Sequence, residues 1–216
     1  MSLPIRIIWP NFLLIFLIGY KLLTIHTFGD SHALFPWKNI HIKDVVIKYN
    51  HLGPRLMYSI GRDGFDISGY GVQPGDVVIF CFGEIDCRRH IYKYKEHYKQ
   101  NIDNMVENYF KMIDKNKEVI PDSRICVYNI IPPVRKNDAP VNPLFPHSGT
   151  DEERKTYVAY MNSKLREHCK NKDYIFFDIY NSYVDKSGFL NKKLKDASVH
   201  IKNPVYIIKF ITDHFL

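Results

Sequence analysis

Apolar residues along the chain fall into continuous runs separated by amphipathic stretches. Six runs rich in β-branched and aromatic residues predict strands, at residues 21–28, 44–49, 55–60, 76–82, 124–131 and 174–180. The clearest reads DVVIFCF and has no polar alternation after its first residue. Continuous apolar strands are typical of a sheet that is covered on both faces, and such sheets are mostly parallel.

Three stretches between and after these runs predict helices. Residues 92–115 carry large apolar side chains at three- and four-residue spacing. The helix predicted over 150–170 opens with TDEE, a helix-capping threonine followed by acids, and Asn203-Pro204 begins a closing helix. This alternation predicts an α/β protein, a three-layer α/β/α sandwich of flavodoxin-like type with right-handed crossovers. We expect one domain over residues 21–216.

Residues 1–20 form a separate hydrophobic segment, with the sequence IIWPNFLLIFLIGY at 7–20. Its uninterrupted apolar part, residues 12–18, is shorter than the roughly 20 residues that cross a bilayer. Two interpretations remain open at this stage. The segment is a signal or weak anchor, and the protein is then secreted or membrane-associated through residues 7–20. Alternatively it packs ahead of the first strand, and the protein is then cytoplasmic.

The composition indicates which kinds of molecule the protein is expected to bind. The chain has 216 residues, is 45% hydrophobic and 25% charged, and carries a formal net charge of +7. The positive charge favours acidic surroundings, such as anionic glycans, nucleic acid or a membrane surface. The lysines are scattered, so we expect a solvated surface rather than a nucleic-acid site. None of the four cysteines forms a CxxC pair, and we expect no disulfide framework, metal or cofactor.

Polar and glycine-rich segments follow several of the predicted strands. These are GDSH at 29–32, GRDG at 61–64 and GEIDCRRH at 83–90, while DASVH at 196–200 precedes the closing helix. Ligands in open parallel sheets bind outside the carboxyl ends of the strands. We therefore expect these segments to meet at one edge of the sheet.

The residue types in these segments suit acyl transfer. Ser31 is the candidate nucleophile, His200 the base that takes its proton, and Asp196 the acid that orients the base. The oxyanion needs preorganised donors. The backbone N–H groups of Ser31 and of Gly61 or Gly64 are the candidates.

In these segments the sequence resembles the SGNH, or GDSL-like, hydrolase superfamily. The first block is FGDSH at 28–32, the second is taken as SIGRDG at 59–64, the third is FGEIDCRRH at 82–90 and the fourth is DASVH at 196–200. The blocks occur in the order of that family and span most of the chain. The resemblance implies an SGNH-like α/β fold and a serine ester hydrolase.

Two positions depart from the family pattern. Ile85 stands where the family has an oxyanion-donating asparagine, and the last block reads Asp-x-x-x-His, one residue longer than usual. An arginine has several N–H donors and a permanent charge. We therefore predict that the guanidinium of Arg62 or Arg88 points into the pocket of Ser31.

The remaining residues of the blocks are expected to build the pocket and its loops. Glu84 or Asp86 is predicted to hold the pocket arginine, and Gly83 and Asp86 are assigned to the pocket itself. Asp30, His32 and Glu84 are assigned to loop support. Alternatively, His32 lines the pocket or caps the following helix. Asp86 and His90 could also share a metal ion, but ion pairs from Glu84 or Asp86 to Arg88 are favoured over this metal pair.

The predicted function is removal of O-acyl groups, above all O-acetyl groups, from a carbohydrate or another small ester. The carbohydrate rests on the family resemblance of the GEIDCR block and on the basic charge. Two rivals remain: a carbohydrate O-acyltransferase that uses the same Ser31 and His200, and a non-catalytic SGNH fold that binds a glycan or a protein. The oligomeric state is not predicted.

Overall fold

The computed structural model describes residues 22–216, which form one five-stranded sheet in the order β2-β1-β3-β4-β5. All four strand pairings are parallel. The strands are β1 (Leu23–Gly29), β2 (Val45–His51), β3 (Val77–Cys81), β4 (Arg124–Tyr128) and β5 (Ile175–Phe177). The predictions for the hydrophobic segment 7–20 lie outside the described residues. Within the described part of the chain, no helix is long and apolar enough to cross a membrane.

Helices cover both faces of the sheet. They are α1 (Met57–Asp63), α2 (Tyr98–Val119), α3 (Asp151–Lys172), α4 (Tyr180–Tyr183) and α5 (Val205–Phe215), and a π-helical turn (Asp86–His90) and a kinked 3-10 segment (Ile91–His97) lead into α2. Alternate residues of β3 enter different cores. Val78 and Phe80 pack with α1, α2 and α3, whereas Val77 and Ile79 pack with α5. The predicted three-layer α/β/α sandwich with a parallel sheet is confirmed.

The prediction of a strand over 55–60 is wrong, because most of this segment belongs to helix α1. Met57 and Ile60 are fully buried and share one helix face, and Gly61 lies against the backbone of α2. The carboxylate of Asp86 accepts hydrogen bonds from the first N–H groups of α1. A short apolar run does not by itself distinguish strand from buried helix, and here packing on α2 selects the helix.

The strand order places β1 between β2 and β3. The chain passes from β1 to β2 on one side and then continues with β3 on the other side of β1, so the strand order reverses at β1 and β3. Ligands of such sheets bind in the crevice outside the carboxyl ends of the strands at this switch point. β1 ends there at Gly29. Only glycine fits this position, because a Cβ would lie 2.1 Å from the carbonyl oxygen of Cys81. The glycine of the GDS motif therefore lets two neighbouring strands approach each other just before Ser31.

Candidate active site

Ser31 begins a short 3-10 turn directly after β1. The side chain of Asp30 accepts a hydrogen bond from the backbone N–H of His32 at 2.8 Å. The hydroxyl of Thr27 donates to the carbonyl of Ala33 at 2.7 Å and ties the far end of the turn back to β1. The turn is thus fixed at both ends, and Ser31 occupies a defined position at the sheet edge.

The structure brings Ser31, His200 and Asp196 together. The Ser31 Oγ lies 2.9 Å from His200 Nε2, and His200 Nδ1 lies 2.8 Å from Asp196 Oδ2. An ionised carboxylate only accepts hydrogen bonds, so Nδ1 carries the proton and the lone pair of Nε2 faces the serine hydroxyl. The short distance expected between Ser31 and His200 is present, although 169 positions separate them in sequence.

The longer Asp-x-x-x-His spacing is accommodated by a closed turn. The backbone N–H of Asp196 donates to the carbonyl of His200 at 2.9 Å. In return, Asp196 Oδ1 accepts from the N–H groups of Ser198 at 2.7 Å and of His200 at 3.1 Å. The extra residue therefore does not separate the acid from the base.

The surroundings of His200 keep its ring neutral. Burial and then the neighbouring His32 lower the pKa of His200 to about 4, although its contact with Asp196 acts in the opposite direction. The ring stacks on Phe35 with centroids 4.3 Å apart and lies 5.0 Å from the ring of His32. At neutral pH His200 is consequently in the form that accepts a proton.

A buried ion pair lies next to this chain of hydrogen bonds. Arg88 donates from Nε to Glu84 Oε1 at 2.7 Å and from Nη2 to Oε2 at 3.0 Å, and Nη1 donates to the carbonyl of Phe145. His32 Nε2 lies 3.6 Å from the same carboxylate. Since Arg88 lines the same cavity as Ser31, the expected guanidinium is present in the pocket and is held by Glu84.

The charges in this cluster support one another. Burial acts to raise the pKa of Glu84, but Arg88 and His32 outweigh it and hold that pKa well below its usual range. Burial acts to lower the pKa of His32, but Glu84 and Asp30 outweigh it and raise that pKa. Burial raises the pKa of Asp30 to about 6. The loop-support residues thus form one buried electrostatic network behind the serine.

The cavity at Ser31 has a volume of about 290 Å³. Its apolar lining includes Ile85, Phe145 and Val199, and His147 adds a polar wall. Burial lowers the pKa of His147 to about 4, so this ring is also neutral at pH 7. The cavity therefore combines a hydroxyl, neutral imidazoles and a fixed cation with apolar side chains.

Three residues of the predicted second block lie elsewhere, and these predictions are corrected. The side chain of Arg62 is 59% exposed and pairs with Asp63 at 2.6 Å. Gly61 lies within α1, where a Cβ would come 2.9 Å from the backbone nitrogen of Tyr109. Gly64 ends α1 with φ of +80°. None of the three lines the Ser31 cavity, because the segment forms a helix that packs on α2.

Asp86 and Gly83 were also assigned to the Ser31 pocket, but both lie in the packed interior and neither lines the Ser31 cavity. Asp86 is fully buried and caps α1 through the N–H groups of Met57 at 2.8 Å and Tyr58 at 3.3 Å. Burial raises the pKa of Asp86 to about 7. A Cβ on Gly83 would come 2.5 Å from Ile130. In the described residues, no three His, Cys, Asp or Glu side chains are placed so that they could hold a metal ion.

The segment after β2 was missed by the sequence interpretation. His51 and Pro54 line the Ser31 cavity, and Gly53 between them has φ of +77°. Among the described residues, the N–H of Gly53 has no hydrogen-bond acceptor. The available signal was a glycine directly after the second strand, but the misassigned strand at 55–60 shifted the second block to Gly61.

The long proline-containing loop at 132–149 supplies the other missed side chains. Asn142, Phe145 and His147 line the cavity. The loop is attached through Arg88, whose guanidinium donates to the carbonyl of Phe145 and whose own carbonyl accepts from the N–H of Ser148 at 3.0 Å. Loops of this length are often functional, but only the fold shows which of its side chains line the cavity.

Solved structures show the same fold. The chain aligns over 92% of its length with 86% of a protein from Streptococcus pneumonia described as a platelet activating factor, with a TM-score of 0.66 and 15% identity. It aligns over 88% of its length with 99% of the M. Smegmatis aryl esterase, with a TM-score of 0.54 and 14% identity. A third neighbour is a member of the lipolytic G-D-S-L family from Veillonella parvula, with 89% of this chain and 98% of that one aligned, a TM-score of 0.52 and 11% identity.

Sequence comparison alone does not reveal this likeness. No family model matches the chain, and no curated protein matches it. The structural neighbours, the parallel sheet order and the position of Ser31 at the switch point agree with one another. The chain has an SGNH hydrolase-like fold.

Proposed function

We propose that the protein is a serine esterase of the SGNH type that removes an O-acyl group, in particular an O-acetyl group, from a carbohydrate. The observation that carries the proposal is the continuous chain of hydrogen bonds from Ser31 through His200 to Asp196, which opens on a cavity. The same three residue types perform acyl transfer on unrelated folds. An aryl esterase among the structural neighbours is consistent with this chemistry.

In the first step, His200 Nε2 accepts the proton of Ser31 as Oγ bonds to the ester carbonyl carbon. The carbonyl electrons move onto the oxygen and form a tetrahedral oxyanion. When the carbonyl re-forms, the bond to the alcohol breaks and His200 gives its proton to the leaving oxygen. Water then repeats the sequence on the acyl-serine, releases the acid and restores Ser31.

The oxyanion has three candidate donors. The N–H groups of Ser31 and Gly53 donate to no acceptor among the described residues. Arg88 uses three hydrogen bonds to Glu84 and Phe145, and since a guanidinium has five N–H groups, donors remain available. These groups take the place of the asparagine that is absent at Ile85.

The size of the cavity supports a short acyl group. Its volume of about 290 Å³ is at the small end of ligand sites, which span roughly 300–1,000 Å³. A carbohydrate as the alcohol part rests on the GEIDCR resemblance and on the net charge of +7. A sugar hydroxyl in place of water would make the same site an O-acyltransferase.

The direct test is hydrolysis of p-nitrophenyl acetate by the parent and by Ser31→Ala. Loss of the triad serine is expected to reduce turnover by about three orders of magnitude or more. Ser163→Ala, at an exposed position of α3, is the matched control and should retain parental activity. Acetate release from an acetylated glycan, with and without an acceptor glycan, separates hydrolase from transferase. Absence of any serine-dependent turnover would instead show a non-catalytic SGNH fold.

A further inference from the structure

A second and larger concavity lies between α1, the kinked segment before α2, and α2 itself. We call it the α1–α2 groove, and its volume is about 640 Å³. Its lining includes two tyrosines, three asparagines and three basic residues: Tyr58, Tyr94, Asn101, Asn104, Asn108, Arg62, His90 and Lys93. Neither Ser31 nor His200 lines it. The groove has the volume of a ligand site and no part in the acyl-transfer chemistry described above.

Three asparagines form one wall of the groove. Asn101, Asn104 and Asn108 follow one another at three- and four-residue spacing, so they share one face of α2. Across residues 22–216, no hydrogen bond joins their side-chain amides to another group of the protein. Each amide offers donors and an acceptor. The row therefore suits a ligand that carries several hydroxyl groups along its length.

Exposed aromatic rings form another part of the lining. Tyr58 on α1 is 50% exposed and Tyr94 is 61% exposed. At Tyr94 the backbone leaves helical geometry, with φ of −122° and ψ of 32°. Arg62 covers one side of the Tyr58 ring, with its guanidinium carbon 5.4 Å from the ring centroid. Such rings present an apolar face with a polar edge.

This combination matches the surface of a pyranose. A sugar ring has C–H groups on its faces, which pack on aromatic rings, and hydroxyls around its edge, which pair with amides. An apolar ligand would leave the three amides unpaired, which costs free energy once water is excluded. A nucleic acid would need a row of cations, whereas this lining has two permanent cations, Arg62 and Lys93, against three asparagines. Oligosaccharide is therefore the ligand class that the lining favours.

The groove and the Ser31 cavity are lined by residues that are close in the chain. Leu56 and Asp86 line the groove, and Pro54 and Ile85, their near neighbours in the chain, line the cavity. At the start of α1 and at the start of the π-helical turn, neighbouring residues thus face the two concavities. We infer that the α1–α2 groove binds an oligosaccharide and presents an O-acyl group of that chain to Ser31. The second half of this inference rests on the proposed function.

The test compares two double variants. Tyr94→Ala with Asn104→Ala removes one ring and one amide from the groove. The control, Tyr49→Ala with Asn171→Ala, removes an exposed ring on β2 and an exposed amide on α3, neither of which lines the groove. All four positions are exposed, so circular dichroism should show parental folding for both.

Binding is measured without chemistry on a panel of immobilised neutral and uronic-acid-containing oligosaccharides of four to six sugar units. The parent and the control should bind the same members, and the groove variant should bind them about tenfold or more weakly. Failure of the parent to bind any member, or equal binding by the groove variant, would overturn the groove as an oligosaccharide site. Neither outcome depends on esterase activity.

Catalysis tests the second half of the inference. The groove variant should keep the parental turnover of p-nitrophenyl acetate, while its KM for an acetylated member of the bound class rises about tenfold. An unchanged KM would show that the groove does not present the substrate. If the parent binds oligosaccharides but hydrolyses neither ester, the proposed esterase function fails and the binding site stands.

Discussion

Two arginine–carboxylate pairs in this molecule have nearly the same geometry and very different surroundings. Arg88 holds Glu84 through two hydrogen bonds, and Arg62 holds Asp63 through two. The side chains of the first pair are 10% and 14% exposed, whereas those of the second are 59% and 53% exposed. The buried charges depend on each other because water does not replace a lost partner, while the exposed charges are solvated and screened.

The position of each pair determines what it contributes. Arg88 connects three elements, because its guanidinium bridges Glu84 after β3 and the loop at Phe145, and Glu84 also faces His32 beside Ser31. The pair of Arg62 lies within a single turn at the end of α1 and connects no second element. An arginine–carboxylate pair is therefore part of the candidate active site in one place and a local surface contact in the other.

The largest expected effect is that of Arg88→Met. Loss of a donor beside the oxyanion should lower kcat/KM for p-nitrophenyl acetate by about two to three orders of magnitude. Glu84 would be left buried without its main partner, which should lower the free energy of unfolding by about 3–5 kcal/mol. Urea denaturation and steady-state kinetics measure the two effects separately.

Adding Glu84→Gln to Arg88→Met separates the two roles of the pair. Without a buried unpaired charge, the double variant should regain a large part of the lost stability, while turnover should stay low because the donor is still absent. Recovery of turnover together with stability would contradict the assignment of Arg88 to the oxyanion and leave it a role in holding the loop alone.

A second test compares the buried carboxylates Glu84 and Asp86, which differ in having or lacking a cationic partner. The pKa of Asp86 is raised to about 7 by burial, so the folded protein retains a proton that the unfolded chain loses near pH 4. Its contribution to stability should therefore fall as pH rises from about 4 to about 7, by about 4 kcal/mol. Asp86→Asn should flatten this slope in denaturation curves recorded across that range.

Glu84 should show the opposite sign. Its pKa in the folded protein is depressed by Arg88 and His32 against the effect of burial, so its contribution is present above about pH 4.5 and is lost as pH falls. Glu84→Gln should accordingly destabilise the protein at pH 7 more than at pH 3. An equal loss at both pH values would show that the charge of Glu84 is not what stabilises the cluster.

A smaller effect is expected from replacing His32, which borders the buried Arg88–Glu84 pair and lies beside His200. Because burial, and secondarily His32, lower the pKa of His200 to about 4, the acid limb of kcat/KM should lie near pH 4 rather than near 6.5. His32→Gln removes a neighbouring positive charge and should move this limb to higher pH. A limb that stays in place would show that burial alone sets the pKa of His200.

The smallest effect is that of Arg62→Met. Because Arg62 is exposed and lies away from the Ser31 cavity, turnover of p-nitrophenyl acetate should stay within about twofold of the parent and the thermal midpoint should be unchanged. A loss similar to that of Arg88→Met would remove the distinction between the two pairs. Lys111→Met, which breaks an exposed ion pair on α2, is the matched control.

Local patterns in the sequence were sufficient for most of the fold and for the central residues of the site. Five of the six predicted strands are present, and the helices α2, α3 and α5 lie close to their predicted positions. Ser31, Asp196 and His200 were selected because they follow strand ends or precede the closing helix. The topology of a parallel sheet then brings such segments together at one edge, whatever the spacing between them.

Only the tertiary structure decided between residues of the same type. The sequence analysis placed the second-block glycine at Gly61 and did not consider Gly53, and it treated Arg62 and Arg88 as equal candidates. The choice followed from whether residues 55–60 formed a strand or a helix, and that depended on contacts with α2 and on the cap from Asp86. A short apolar run is compatible with both structures, and the free energy that selects one comes from partners distant in sequence.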